Sequence, residues 1–310
     1  MSAVSQTDPF VHPALFYRGE REYLAGTVPF VRDGLASDEA VAVAVPGARL
    51  ELLRAALGGQ AAQVRLIDMA EAGRNPGRII PRVLRAFADA HPTGRVRIIG
   101  EPIWAGRTDA EYPACAQHEA LINLAFRGRE ATILCPYDTD GLDETVLADA
   151  RATHPTVIES GRSDTSGSYA PETVISRYNL SLTAPDDAWS TDYKKGTLAP
   201  ARQGATRRAA DLGLSASRQD DFALAVAELT TNSVLHGGGF GTLRIWSQDS
   251  HIVCEVRDTG HLADPLAGRR PPAPNQLGGR GLLLVHTVAD LVRVHSTARQ
   301  GTTIHCFFRH

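Results

Sequence analysis

A chain of 310 residues with 32 Lys and Arg against 35 Asp and Glu has a formal charge of -3. That length allows two domains with their own cores, and the near-balanced charge offers no broad basic field for nucleic acid or an anionic membrane. No apolar run reaches the roughly 20 residues that span a bilayer, and the N-terminus lacks a basic start followed by an apolar stretch, so the expectation is a cytoplasmic protein. Cys115, Cys135, Cys254 and Cys306 are widely spaced with no Cys-x-x-Cys pair, which signals reduced buried thiols rather than a zinc site or a disulfide framework.

In chain order, the apolar or β-branched runs "AVAVAVP" (40–46), "VRLID" (64–68), "RVRIIGEP" (95–102) and "ATILCPYD" (131–138) predict buried strands. Between them "ARLELLRAAL" (48–57) and "IIPRVLRAFADAH" (79–91) carry apolar residues at helical spacing. Strands alternating with helices predict an α/β domain with a mainly parallel sheet. The stretch "ESGRSDTSGSYAPETV" (159–174) is polar and aperiodic and predicts a linker or long loop; "TAPDDAWSTDYKKG" (183–196) has no settled structure. The expected division is 1–165 for the first domain, 166–190 for a linker and 191–310 for the second domain.

The second domain orders its elements differently. A helix is expected over about 200–212, with Pro200 in its first turn and Gly213 past its end, then a second helix carrying "FALAVAELTTNSVLH" (222–236). Strands "GTLRIWSQ" (241–248) and "HIVCEVRD" (251–258) follow, joined tightly through Asp249 and Ser250. After a Pro- and Gly-rich loop over 259–279 come the helix "GLLLVHTVADL" (281–291) and a closing hairpin over 292–309. This order predicts an α+β sandwich of helices on a largely antiparallel sheet.

Four features of this half could carry chemistry. Glu228, Asn232 and His236 fall four apart on one helix face. An amide oxygen there suits a hard cation and a carboxylate can orient or deprotonate a nucleophile, although a solvated polar face has the same spacing. Asp258 in "VRDTG" could accept a hydrogen bond from an exocyclic amine such as adenine's while Gly260 admits a flat ring, although Asp and Gly also end strands in ordinary turns. In "LGGRGLLLVH", Gly278, Gly279, Arg280 and Gly281 precede a helix whose free N–H groups favour phosphate. The loop over 263–277, with Arg269 and Arg270, could form a lid. Finally, Thr302 and Thr303 follow Gly301 at the start of the last strand.

Taken as an ordered set over about 195–310, these features resemble the GHKL ATPase superfamily with its Bergerat nucleotide fold, and within it the anti-sigma regulatory serine/threonine kinases. The resemblance implies ATP and Mg2+ as cofactors and a sigma factor and an anti-anti-sigma protein as partners. It implies Glu228 as base toward a partner's serine, Asn232 as magnesium ligand and Asp258 with Gly260 as the adenine contact. Gly279, Arg280 and Gly281, with Thr302 and Thr303, would complete the site; His236 receives no fixed role. The pattern departs from many relatives at Leu262, where they carry a further glycine.

The N-terminal half, in "HPALFYRGEREYLAGTVPFVRDGLASDEAVAVAVP", "IDMAEAGRNPGRIIP" and "ATILCPYD", resembles the MEDS sensory domain, which implies a RecA-like outline without a P-loop and a possible small-molecule ligand. Polar or reactive residues at strand ends, where open α/β sheets gather ligands, make His12, Tyr17, Glu101, Cys135 and Tyr137 the sensory candidates, with Glu119 and Asp138 beside them. No Gly-x-x-x-x-Gly-Lys-Ser/Thr occurs, and His12, His91 and His154 are each followed by Pro, unlike a phospho-acceptor histidine on a helix. The expected function is a signal-responsive anti-sigma regulator that phosphorylates an anti-anti-sigma factor, acting away from nucleic acid and membrane and compatible with a homodimer. The rival reading is a non-catalytic, nucleotide-gated protein-binding switch.

Overall fold

A computed structural model of the protein describes residues 8–271 and 279–310. Gly278 and the lid segment 272–277, both expected near phosphate, lie outside the described residues. The chain forms two compact units, one of residues up to Arg74 with Ile79–Tyr178, the other of Asn75–Arg78 with Asn179–His310.

The first unit opens with β1 (Phe10–Val11) and β2 (Pro13–Tyr17), the latter buried along its whole length. Next come α1 (Gly19–Ala36), β3 (Ala40–Val45), α2 (Gly47–Leu57), β4 (Arg65–Asp68) and α3 (Met69–Ala72). The expected helix over 79–91 is a π-helical turn at Ile79–Leu84 running into α4 (Arg85–Ala90). Pro81 sits in that turn, where an amide donor is missing and a widened ladder tolerates its ring. Then follow β5 (Val96–Gly100), α5 (Tyr112–Ala125), β6 (Ala131–Asp138), α6 (Glu144–Thr153), β7 (Thr156–Glu159), β8 (Arg162–Thr165) and α7 (Pro171–Arg177).

The strands run in the order β4-β3-β5-β6-β2-β7-β8, with β1 beside β6. Every pairing is parallel except the β7–β8 hairpin. Covered by helices, the central strands read as unbroken apolar runs, and Val43, Ile99 and Leu134 are buried at the middle of the core.

The polar stretch over 159–174 is not a loop throughout. β8 is an edge strand whose four residues are all exposed, so it carries no apolar alternation to read. α7 buries Val174, and its C-terminal end is fastened to Asp149, which pairs with Arg177 and accepts hydrogen bonds from the hydroxyls of Tyr178 and of Tyr112 on α5.

The second unit is a five-stranded antiparallel sheet in the order β12-β13-β11-β10-β9. Its elements are β9 (Trp189–Lys194), α8 (Leu198–Asp211), α9 (Ala216–His236), β10 (Phe240–Gln248), β11 (His251–Asp258), α10 (Gly281–Val288), β12 (Leu291–Thr297) and β13 (Gly301–Arg309). The helices cover one face. Ala201, Ala205 and Ala209 of α8 and Phe222, Ala225, Val226 and Leu229 of α9 meet every second residue of the strands. Gly213 follows α8 with φ +98°, and Asp249 takes φ +52° in the β10–β11 turn. The unsettled segment near 189–194 is the edge strand β9, in which Tyr193 is buried. Within this unit the side chains of Asn75 and Arg78 donate to the carbonyls of His286 and Ala289, which closes the C-terminal end of α10. Among the described residues no helix is long and apolar enough to cross a membrane.

Candidate nucleotide site

The apolar face of α9 is fixed against the sheet, so helical spacing turns half-buried Glu228 and Asn232 toward one edge of the sandwich and leaves His236 exposed. β11 delivers Asp258 to the same edge, opposite Thr302 of β13. The Asp258 carboxylate accepts hydrogen bonds from Ser233 Oγ (2.6 Å) and from the backbone N–H of Gly260 (2.8 Å). A carboxylate accepts more than two, so it keeps capacity for a ligand amine. Thr302 Oγ1 donates to Gly260 O (2.8 Å), and Thr259 Oγ1 to Gly237 O (3.1 Å). These bonds tie the Asp-Thr-Gly turn to the last strand on one side and to the end of α9 on the other.

Close approach needs glycine on both sides of the junction. A methyl group at position 237 would lie 2.3 Å from Asp258 Cγ, and one at position 260 would lie 2.7 Å from both Gly237 Cα and His236 O. The third junction is at α10. A methyl group on Gly281 would stand 2.6 Å from Glu228 Oε2 and 3.3 Å from Asn232 Nδ2, so the helix N-terminus abuts the Glu–Asn stripe. Between these elements lies a cavity of about 360 Å³. Asn232, Asp258, Gly260, Gly279, Gly281 and Thr302 all line it, with the first turn of α10 at its edge.

Other expected residues fall elsewhere. Thr303 is set apart from Thr302: strand alternation puts it on the opposite face of the sheet, in the row of His305 and Phe307 rather than that of core residues Ile304, Cys306 and Phe308. Arg280 is exposed just before α10, and Glu228 touches the site beside Gly281 without lining the cavity. In the described part of the lid loop, exposed Arg270 pairs with Asp264 (2.7 Å), while Arg269 is buried. Leu262 lines the cavity, and its N–H donates to Ser296 Oγ (2.8 Å), so the departure from glycine is accommodated at an anchored point.

Ser233 and Gly237 were not singled out from the sequence. A serine four positions after core residue Leu229 is buried and demands a hydrogen-bond partner, and that was the available signal.

The sensory candidates of the first unit divide between two buried clusters. His12 and Cys135 meet Glu119 and His154, with the Tyr137 ring edge-on to His154 at 5.6 Å. Tyr17 and Glu101 lie with Tyr23 and Arg49: the guanidinium stands over both tyrosine rings (5.0 and 4.8 Å) and pairs with Asp138 (3.0 Å). Burial pushes the Glu101 carboxyl up to about 8, against the opposing pull of Arg49. Between its unfolded value near 4.5 and about 8 the folded chain holds a proton that the unfolded chain has lost. This group's contribution to stability therefore declines as pH rises across that window. Glu101→Gln is expected to flatten the fall in melting temperature between about pH 6 and 8; an unchanged slope would remove Glu101 as its source.

Two comparisons bear on these units. Residues 192–306 match the histidine kinase-like ATPase domain, and residues 11–155 match MEDS, the MEthanogen/methylotroph, DcmR Sensory domain. In chain order, a segment of MEDS type is followed by one of histidine kinase-like ATPase type. The chain is also 29% identical over 107 residues to the anti-sigma F factor of Clostridium acetobutylicum, a match covering 31% of this chain and 73% of that protein. The ATPase domain implies ATP as its nucleotide, and the residues of the cavity fit one: an acceptor with spare capacity in Asp258, glycine backbone at the junctions, and the start of a helix at Gly281. The sensory candidates His12, Tyr17, Glu101, Cys135 and Tyr137, by contrast, are buried in the core of the MEDS domain.

Proposed function

We propose that this chain is a cytoplasmic anti-sigma regulator whose ATPase domain is an ATP-dependent serine/threonine protein kinase acting on an anti-anti-sigma factor, with the MEDS domain responding to a small-molecule signal. The observation that carries the nucleotide reading is the convergence of Asn232, Asp258, Gly260, Gly279, Gly281 and Thr302 on one cavity. The likeness to an anti-sigma F factor supports a sigma factor as binding partner.

In this reading ATP supplies the transferred phosphoryl group. Asp258 accepts from the base amine and, held by Ser233 and Gly260, fixes the orientation of the ring. Gly279 and Gly281 bring backbone amides and the positive end of α10 to the phosphates, with Arg280 beside them. Asn232 offers an amide oxygen to Mg2+. Glu228, at the edge of the site beside Gly281, takes the proton of the incoming serine or threonine hydroxyl.

Calorimetric titration of the full chain with ATP, with and without Mg2+, tests the reading. Wild type is expected to bind one ATP more tightly with Mg2+ present, and Asn232→Ala to lose that magnesium-dependent increment while staying folded. A wild-type chain that binds no ATP would sink the proposal, and an Asn232→Ala chain that keeps the full increment would remove Asn232 as the metal ligand.

A further inference from the structure

Inside the MEDS domain, four groups from four segments meet in the core: His12 between β1 and β2, Glu119 on α5, Cys135 on β6 and His154 just after α6. All four are buried to within about one percent of completely. Glu119 Oε2 lies 3.1 Å from His154 Nε2 and 3.6 Å from His12 Nε2, and Cys135 Sγ lies 3.4 Å from the same His12 nitrogen. All four donor atoms fall within 4.8 Å of one another.

The surroundings of the two imidazoles decide where their protons sit. Asn123 spends its amide N–H groups on the carbonyls of Thr153 (2.8 Å) and Ala120 (3.2 Å), which turns its oxygen to His12 Nδ1 (3.1 Å). That nitrogen must therefore be the donor. His154 Nδ1 lies 2.8 Å from Ala150 O and 3.0 Å from Thr153 Oγ1, whose own proton goes to Asp149 O (2.9 Å), so it too is the donor. In the neutral form of each ring, Nε2 therefore turns its lone pair toward the Glu119 carboxylate. Neither carboxylate oxygen has a hydrogen-bond partner, nor does His154 Nε2. Lone pairs facing a carboxylate in a buried cluster are repulsive, and a cation among them would turn that repulsion into attraction.

We propose that His12, Glu119, Cys135 and His154 bind one Zn2+ ion. Nδ1–H of each histidine held by a carbonyl with Nε2 free is the outer-shell pattern of zinc-bound histidine. A tetrahedral ion with bonds of about 2.0–2.3 Å sets its donor atoms about 3.3–3.7 Å apart, close to the spacing observed. Two imidazoles, a carboxylate and a thiolate suit Zn2+ by ligand type, and the two anionic ligands neutralise the ion where a net charge would be costly. Binding releases the Cys135 thiol proton to solvent. With four protein ligands the centre is closed, so it joins the first strands, α5, β6 and the end of α6 instead of holding a reactive water. The cysteine spacing gave no such sign because the ligands are 142 positions apart at the extremes, from 12 to 154, and only the fold assembles them.

The test uses the full chain. Purified protein is expected to carry about one zinc per chain, and the metal-free form to take up one equivalent of Co2+ with a thiolate-to-cobalt charge-transfer band that Zn2+ abolishes. Cys135→Ser is expected to lose that band, and Asn123→Ala to weaken metal binding roughly ten- to a hundredfold. Because a variant could unfold, the wild-type cobalt titration stands by itself. A folded wild-type chain, by circular dichroism, that holds no zinc and develops no charge-transfer band would overturn the proposal. So would a Cys135→Ser chain that keeps the wild-type cobalt spectrum.

Discussion

Asp258→Ala is expected to weaken ATP binding by roughly ten- to a hundredfold and to erase most of the preference for ATP over GTP. Its carboxylate is held in place from two sides, by Ser233 Oγ on α9 and by the Gly260 N–H in its own turn, and it faces the cavity between them. A hydrogen bond to a charged group contributes about 1.5–3 kcal/mol, which converts to that range of affinity. Guanine presents a carbonyl where adenine presents an amine, so the same carboxylate repels it and the preference depends on the charge as well as the bond. Asp258→Asn separates these contributions: its amide can turn either end to the ligand, so it should bind ATP less tightly than wild type and GTP more tightly. Calorimetry with both nucleotides reads the outcome. Unchanged ATP affinity in a folded Asp258→Ala chain would place the base elsewhere.

Gly301→Ala is expected to destabilise the ATPase domain by about 3–5 kcal/mol, among the larger costs for a single added methyl group. Gly301 has φ +80°, which costs a residue with a Cβ about 1–2 kcal/mol. The methyl group would also stand 2.1 Å from Asp258 O and 2.9 Å from Thr259 Cα, backbone atoms that cannot swing aside. Relief requires moving the start of β13 away from β11, which loosens the Asp258–Thr302 pairing and the Thr302–Gly260 bond. Nucleotide affinity should therefore fall with stability. Gly213→Ala is the control, since φ there is +98° but nothing lies within 4 Å of a methyl group, so only the backbone cost of about 1–2 kcal/mol applies. Urea unfolding of both variants tests the account. Equal losses at the two positions would show that the close approach at Gly301 carries no energy.

How much of this was legible follows from what each segment buries. α9 announced itself because Phe222, Ala225, Val226 and Leu229 all point into the core, and its polar stripe came with it. α1 did not, since Gly26 and Pro29 interrupt the helical pattern. Gly26 is there because a methyl group would come within 2.5 Å of the Leu15 side chain, and that reason exists only in the folded packing. β8 and β9 are edge strands with few or no inward residues, so their sequences read as loop. Thr302 and Thr303 could not be told apart because the period-two alternation fixes a face only once the register of the strand is known. Ser233 and Gly237 matter through what Asp258 does after folding, and the His12, Glu119, Cys135 and His154 cluster joins segments that no local pattern connects.

The most direct measurement of the central claim is phosphoryl transfer from labelled ATP, with Mg2+ present, by the purified full chain to candidate anti-anti-sigma proteins, beside Glu228→Gln. With wild type, label is expected on a serine or threonine of one such partner. Glu228→Gln is expected to lose most of the transfer while still binding ATP. A wild-type chain that binds Mg-ATP and its partners yet labels none of them, or a Glu228→Gln chain that transfers at the wild-type rate, would contradict it.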